Sequence, residues 1–394
     1  MDRIYLDANA TTPVLPAVVE AMLPYFTAAS GNPSSAHLSG QRTRSAVERA
    51  RAAVAALLHC TSQEIVFNSG GTEGDNHALF GILQPYLDRR EPAHLITSQI
   101  EHHAVLYAAE ALQSRGVEVT YIAPHRDGVI EPEEVSAALQ PHTRLVSIML
   151  ANNETGAMQP VGKIARFAKA FAERHRTQIL IHTDAVQTAT KLPIDLSGEF
   201  KNVDLLALSG HKMYAPQGTG ILFIRKGVQL TPLFYGGPHE RQRRAGTENV
   251  PGIVALGRAA ELASEWLGNQ QPKPVLCTLR DRLESGLLAT IPDIHVNGTI
   301  AHRMPNTTNL RFDGVDAEAL LIALDMQGIA ASFGAACQSG ATEPSHVLLA
   351  MGLTSAEARS SLRFSLSRLT TETEVERALQ IIPTAVARLR SISS

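Results

Sequence analysis

Short apolar runs recur along this chain, each closed by small or polar residues and most separated from the next by a helix-length segment. They are Ile65-Val66-Phe67, His94-Leu95-Ile96-Thr97, residues 117–122, residues 145–150, residues 178–183, Leu206-Ala207-Leu208 and Ile221-Leu222-Phe223-Ile224. Between them lie helical stripes such as Val47, Ala50, Val54 and Leu57 within residues 43–58, and a helix is expected over 161–174. Strands alternating with helices predict a mainly parallel sheet covered on both faces, an α/β chain. Such sheets bind ligands beyond the carboxyl ends of their strands. Thr72, His102, Asn153 and Asp184 all fall there, so four polar residues from four separate runs are expected on one edge.

One stretch carries more chemistry than the rest. In residues 206–225 the apolar run ends at Ser209-Gly210, Lys212 follows, and Gly218 and Gly220 precede the next run, which puts the lysine on a turn between two strands. A loop lysine is ordinarily a solvated charge. Asp184, closing the run before it, changes that reading: a carboxylate at a strand end and an amine beyond a later strand are the pair an aldehyde cofactor with a pyridine ring needs. Upstream, the small residues after Phe67 lead into a helix, and Gly71 and Thr72 are candidates to cradle a phosphate on its first amides.

The 35 basic and 38 acidic side chains sum to −3, which gives no electrostatic case for nucleic acid or a membrane surface. No apolar stretch reaches bilayer length and the N-terminus has no signal-like apolar core, so a cytoplasmic protein is expected. Three cysteines far apart, Cys60, Cys277 and Cys337, argue against a disulfide framework and leave room for one reactive thiol. No metal site is expected.

With HTDAVQ at 182–187, SGHK at 209–212, YLDANATTP at 5–13 and LRFSLSRLTTETE at 362–374, nearly the whole chain resembles the cysteine desulfurases of the NifS and IscS type, within the class V aminotransferase-like family. The resemblance implies the aspartate aminotransferase-like fold of pyridoxal-phosphate-dependent transferases. Its large domain would span 14–266, and a smaller one would combine 1–13 with 267–394. It implies pyridoxal 5'-phosphate on Lys212, with Asp184 at the ring nitrogen, His102 stacked on the ring, and Asn153 and Gln187 near the phenolic oxygen. Gly71, Thr72, Ser209, His211 and Thr247 would hold the phosphate, Thr247 from the neighbouring subunit, which makes the protein a homodimer. Asn32 and Arg363 would take the substrate carboxylate. His103, beside His102, gains no role from the resemblance. Gln217 stands where relatives usually carry lysine, and either alters the charge near the cofactor or faces solvent.

Cys337 lies among small residues before Glu343-Pro344-Ser345-His346, with Pro344 expected to start a helix. It matches the family's catalytic cysteine, while Phe333 and Ala335 replace two usual serines. Cys60 and Cys277 are expected to be packed, inert thiols. The resemblance implies that L-cysteine becomes L-alanine, its sulfur passing to Cys337 as a persulfide and on to an acceptor protein for iron–sulfur clusters or thio-cofactors. Two other readings stay open: a selenocysteine lyase or other class V lyase or aminotransferase, and a sulfur-carrying scaffold active only with a partner.

Overall fold

The computed structural model describes residues 3–269, 272–333 and 343–393. Seven strands form one sheet, in the spatial order Ile65–Asn68, Gly220–Ile224, Leu205–Ser209, Leu180–Asp184, Thr143–Ser147, His94–Ser98, Glu118–Ile122. Only Gly220–Ile224 runs against its neighbours; every other pairing is parallel. The exception has a local cause. Residues 210–219 lead from Leu205–Ser209 back along its side as a loop with no crossover helix, which permits antiparallel pairing, whereas parallel partners need longer crossovers.

Side-chain alternation along the strands divides the apolar residues between two cores. Ile65, Phe67, Val146, Ile181, Leu206, Leu208, Ile221 and Phe223 face one layer, with side chains from helices Leu38–Leu57, Val161–His175 and Val250–Asn269. Val66, Leu95, Leu145, Leu180, Leu205 and Leu222 face the other, against helices Gly71–Asp88 and His103–Gln113. The edge strand Glu118–Ile122 is the exposed one, and Glu118 carries hydrogen bonds from His142 at 2.8 Å and Gln140 at 2.7 Å.

A third core is built around an antiparallel sheet, Ser361–Ser365, Thr307–Phe312 and Ile294–Val296, with helices Pro272–Thr290, Ala317–Asp325 and Glu372–Ser393. The N-terminal strand Ile4–Tyr5 pairs in parallel with Ile329–Ala330, and Ile4 and Leu6 are buried in this core. The first residues of the chain thus pack among the last.

Several boundaries differ from the sequence expectation for identifiable reasons. The helix expected from residue 43 begins at Leu38, where the His37 ring accepts the Gly40 N–H. The regular strand Thr143–Ser147 stops short of the run 145–150: the Ile148 and Leu150 N–H groups still reach the carbonyls of His182 and Asp184, but the Met149 N–H, on the other side, turns to the Glu101 carboxylate. By composition Gln270-Gln271-Pro272-Lys273-Pro274 reads as a connector, yet the helix Pro272–Thr290 already begins within it. Proline is tolerated in a first turn, whose N–H groups have no intrahelical acceptor. The helix after Pro344 is His346–Ala350, capped by the Ser345 hydroxyl, which accepts the Leu348 N–H at 3.2 Å.

The arginine-rich stretch 234–249 is tied down at one point. Arg51 grips the Glu240 carboxylate with two hydrogen bonds of 2.7 and 2.8 Å, both side chains 4% exposed, and the Phe67 N–H adds a third at 2.9 Å. Truncating one partner strands the other charge out of water. Glu240→Ala is therefore expected to cost about 3–5 kcal/mol, read as a lowered midpoint in urea denaturation at unchanged slope.

Candidate active site

The carboxyl ends of the parallel strands open into a cavity of about 270 Å³. Lys212 reaches it from the short 3-10 turn Gly210–Lys212 that ends the strand Leu205–Ser209. That turn requires glycine at 210, where a Cβ would lie 2.3 Å from Thr219 Oγ1. The Lys212 ammonium donates to the carbonyls of Asn9 and Ala10, the second at 2.5 Å. The same N-terminal loop clasps the turn elsewhere. Thr12 donates its hydroxyl to the His211 carbonyl at 2.8 Å, and Thr11 Oγ1 lies 3.1 Å from His211 Nδ1.

Opposite charge is supplied by a buried cluster. Asp184 accepts the Val186 N–H at 2.8 Å, and burial pushes its carboxyl up to about 6 despite that bond and the nearby Lys212. Asp75 is likewise raised, by burial and by the charges of Asp184 and Glu101. Glu101, gripped by Ser98 Oγ at 2.6 Å and the Met149 N–H, is pushed up to about 8, again by burial first. This edge of the sheet holds protons that free carboxyls release.

His102 is the N-cap of the helix His103–Gln113, its Nδ1 accepting the Ala104 N–H at 3.1 Å. A neutral ring so engaged carries its proton on Nε2. Burial, with help from His103, Lys212 and His346, holds the ring down at about 4, so it is neutral at ordinary pH. Arg363 is 1% exposed, with one guanidinium nitrogen on the Asn153 carbonyl at 2.9 Å and another on Asp7 at 2.7 Å.

The remaining wall is made for an anion. Helix Gly71–Asp88 starts without a side-chain cap after Gly70, whose φ of 150° suits glycine, so its first amides face the cavity end unopposed. A Cβ at Gly71 would come within 2.7 Å of Val186 Cγ2, and one at Gly70 within 3.5 Å of the Ser209 hydroxyl. Glycine at 71 therefore keeps the start of the helix bare of a side chain on the cavity side. The chain thus fits pyridoxal phosphate: an amine, a buried carboxylate, a neutral imidazole and a glycine-lined helix start share one cavity.

Gly71, Thr72, His102, Asn153, Asp184, Gln187, Ser209, His211, Lys212 and Arg363 all line it. Asn32 and Thr247 do not: both are exposed, and Asn32 Oδ1 caps the Ser34 N–H at 2.9 Å. Cys337 and Ala335 lie outside the described residues. Gln217 is exposed and absent from the cavity wall, which resolves its two readings in favour of solvent. Burial pushes the Cys60 thiol up to about 12, as fits an inert group.

His103, given no role from the sequence, lines the cavity as well, its ring 4.7 Å from that of His346. Asn9, Ala10, Asp75 and Glu154 are further lining residues that sequence reasoning missed. A signal for Asn9 was present, a short polar run directly after an apolar strand, but nothing in it told which turn it would clasp. A larger groove of about 650 Å³, lined by residues such as Thr11, Pro13, Ala215 and Leu369, brings only Tyr5 and Glu374 as ionisable groups and lacks this chemistry.

A model of the aminotransferase class-V family matches residues 4–378. A protein named cysteine desulfurase from Nostoc sp. is 49% identical over 393 residues, covering 100% of this chain and 95% of that protein. A solved structure titled NifS-like protein superposes with a TM-score of 0.90 at 37% identity, over 98% of this chain and 100% of the other. Another, titled SspA in complex with cysteine, gives a TM-score of 0.78 at 36% identity, over 92% of this chain and 98% of that one.

The buried acids predict a pH signature. Glu101 is protonated in the folded chain up to about 8, whereas an unfolded glutamate releases its proton near 4.3. Between those values folding binds a proton, so this residue's contribution to stability falls as pH rises through the window. Glu101→Gln is expected to gain thermal stability on the wild type as pH goes from about 6 to about 9, measured by thermal denaturation across that range.

Proposed function

The chain belongs to the class-V aminotransferase family, and from that premise we propose that it is a pyridoxal 5'-phosphate-dependent cysteine desulfurase. In this reading L-cysteine is converted to L-alanine and its sulfur is left on Cys337. The observation that carries the proposal is the meeting of Lys212, Asp184, His102 and Arg363 around one glycine-floored cavity. When bound, pyridoxal phosphate supplies an aldehyde for amines and a ring that withdraws electrons from the substrate's α-carbon.

The chain's own groups do the rest. Gly71, Thr72, Ser209 and His211 would hold the phosphate, Lys212 would carry the aldehyde, and Asp184 would accept the ring N–H, a cation that favours its ionised form. Asn153 and Gln187 would serve the phenolic oxygen. His102, neutral and protonated on Nε2, would lie against the ring, and with Lys212 would move protons at the α-carbon. Arg363, already oriented by Asp7 and the Asn153 carbonyl, takes the substrate carboxylate in a fork. The Cys337 thiolate then attacks the substrate sulfur. The new sulfur–sulfur bond forms as the carbon–sulfur bond breaks; the bonding pair stays with carbon, which is protonated to alanine.

The active unit is a homodimer in this proposal. Thr247 is exposed and away from its own chain's cavity, as suits a residue that reaches the partner's phosphate. The separate apolar cores support a large domain over 14–266 and a small one made of 1–13 and 267–394. The persulfide passes to an acceptor protein for iron–sulfur cluster or thio-cofactor assembly. No helix among the described residues is long and apolar enough to cross a membrane; a cytoplasmic location is part of the proposal.

Mass spectrometry after exposure to L-cysteine is expected to find one added sulfur on the Cys337 peptide, with alanine released. Cys337→Ala should keep the bound cofactor's absorbance and lose sulfur transfer. Undiminished turnover in that variant would instead mark a lyase or transaminase that does not use the thiol.

A further inference from the structure

One buried cation beside the cavity has no part in the chemistry described so far. Lys191 is 5% exposed, and burial, reinforced by the nearby charges of Lys212 and Arg363, lowers its ammonium to about 7. Its three donors are all engaged: Gln187 O at 2.9 Å, Gln187 Oε1 at 3.1 Å and Asn9 Oδ1 at 3.3 Å.

Lys191 Nζ meets three oxygens and donates to each, so the Gln187 carboxamide turns its oxygen toward Lys191 and its nitrogen away. That nitrogen gives one hydrogen to the Asn9 carbonyl at 3.0 Å, which leaves the other for the cavity that Gln187 lines. The Asn9 carbonyl also receives the Lys212 amine. The rest of Asn9 is equally committed. Its Nδ2 donates to Asn153 O at 3.1 Å and Thr307 Oγ1 at 2.9 Å, Oδ1 accepts from Asn306 Nδ2 at 3.1 Å, and its N–H goes to Ser365 Oγ at 2.9 Å.

We propose that Lys191 is a positioning residue, which fixes the Gln187 carboxamide with an N–H toward the cavity and holds Asn9 so that its carbonyl anchors the Lys212 amine. The wall then offers a donor, and not an acceptor, to an anionic ring oxygen of the ligand. Without the ammonium, Gln187 Oε1 and Asn9 Oδ1 each lose a partner in a buried setting, and the carboxamide is free to flip. This assignment rests on the cofactor reading above, but not on which amino acid is the substrate.

The test uses full-length dimeric protein, wild type and Lys191→Met, which keeps chain length and removes every donor. Affinity of the apoprotein for added pyridoxal phosphate is read by fluorescence, and the pH midpoint of the bound-cofactor absorption band by spectrophotometry. Lys191→Met is expected to bind about tenfold more weakly and to titrate at higher pH, since one neighbouring cation is gone. Wild-type affinity together with an unmoved midpoint overturns the proposal, even if thermal stability falls, because a merely structural lysine would change stability alone.

Should the variant fail to fold, neutron diffraction on the wild-type holoenzyme decides. Gln187 Oε1 on Lys191 supports the assignment; a reversed carboxamide overturns it. Alanine release from cysteine is assayed on the same wild-type preparation. Its absence would sink the desulfurase reading and leave the spectroscopic comparison standing.

Discussion

The cavity depends on the grip of the N-terminal loop on the Lys212 turn. Two backbone carbonyls, of Asn9 and Ala10, take the ammonium, and the side chain of Asn9 commits its own donors and acceptors to Asn153 and Lys191, in segments that follow strands of the large sheet, and to Asn306 and Thr307 at the start of a strand of the small one. A buried polar group without a partner costs about as much as several kcal/mol of packing gains. Each member of this network is therefore held by the others. The reactive amine has a defined position because the first residues of the chain are pinned between the two sheets.

Electrostatics on the same edge follow from burial more than from pairing. His102 and His211 are both held near 4, while Asp184 and Glu101 are pushed up to about 6 and about 8. Desolvation moves bases and acids in opposite directions, and both toward the neutral form. An environment of neutral imidazoles and of carboxyls held toward their protonated form answers strongly to any charge placed in it. A ligand with a ring cation and a phosphate dianion would find complementary groups at each end, a carboxyl that ionises readily beside the one and unopposed helix amides beside the other.

Much of this was legible in the sequence. The alternation of strand and helix carries the sheet, since a two-residue period and a helical period cannot be exchanged without exposing a core, and the strand ends carry Thr72, His102, Asn153 and Asp184 to one edge. Other features were not legible because they are contacts across long separations. His103 meets His346, and Arg51 meets Glu240, on pairings that no local pattern announces. The prolines at 272 and 274 read as a connector because composition does not distinguish a linker from the first turn of a helix. Asn32 matched a motif, yet the chain's own fold leaves it exposed and off the cavity wall.

The sequence alone determined the class of fold, the side of the sheet on which chemistry gathers, and the pairing of Lys212 with Asp184, since each follows from local period and from residue type at strand ends. Tertiary structure decided which way the Gln187 carboxamide faces, where Asn9 sits, and that the glycine at 71 floors a cavity. Those outcomes depend on hydrogen-bond and steric partners far away along the chain, from Asn9 against Asn306 to Gly71 against Val186. Local propensity cannot fix such partners, because only closure of the sheets brings them within reach.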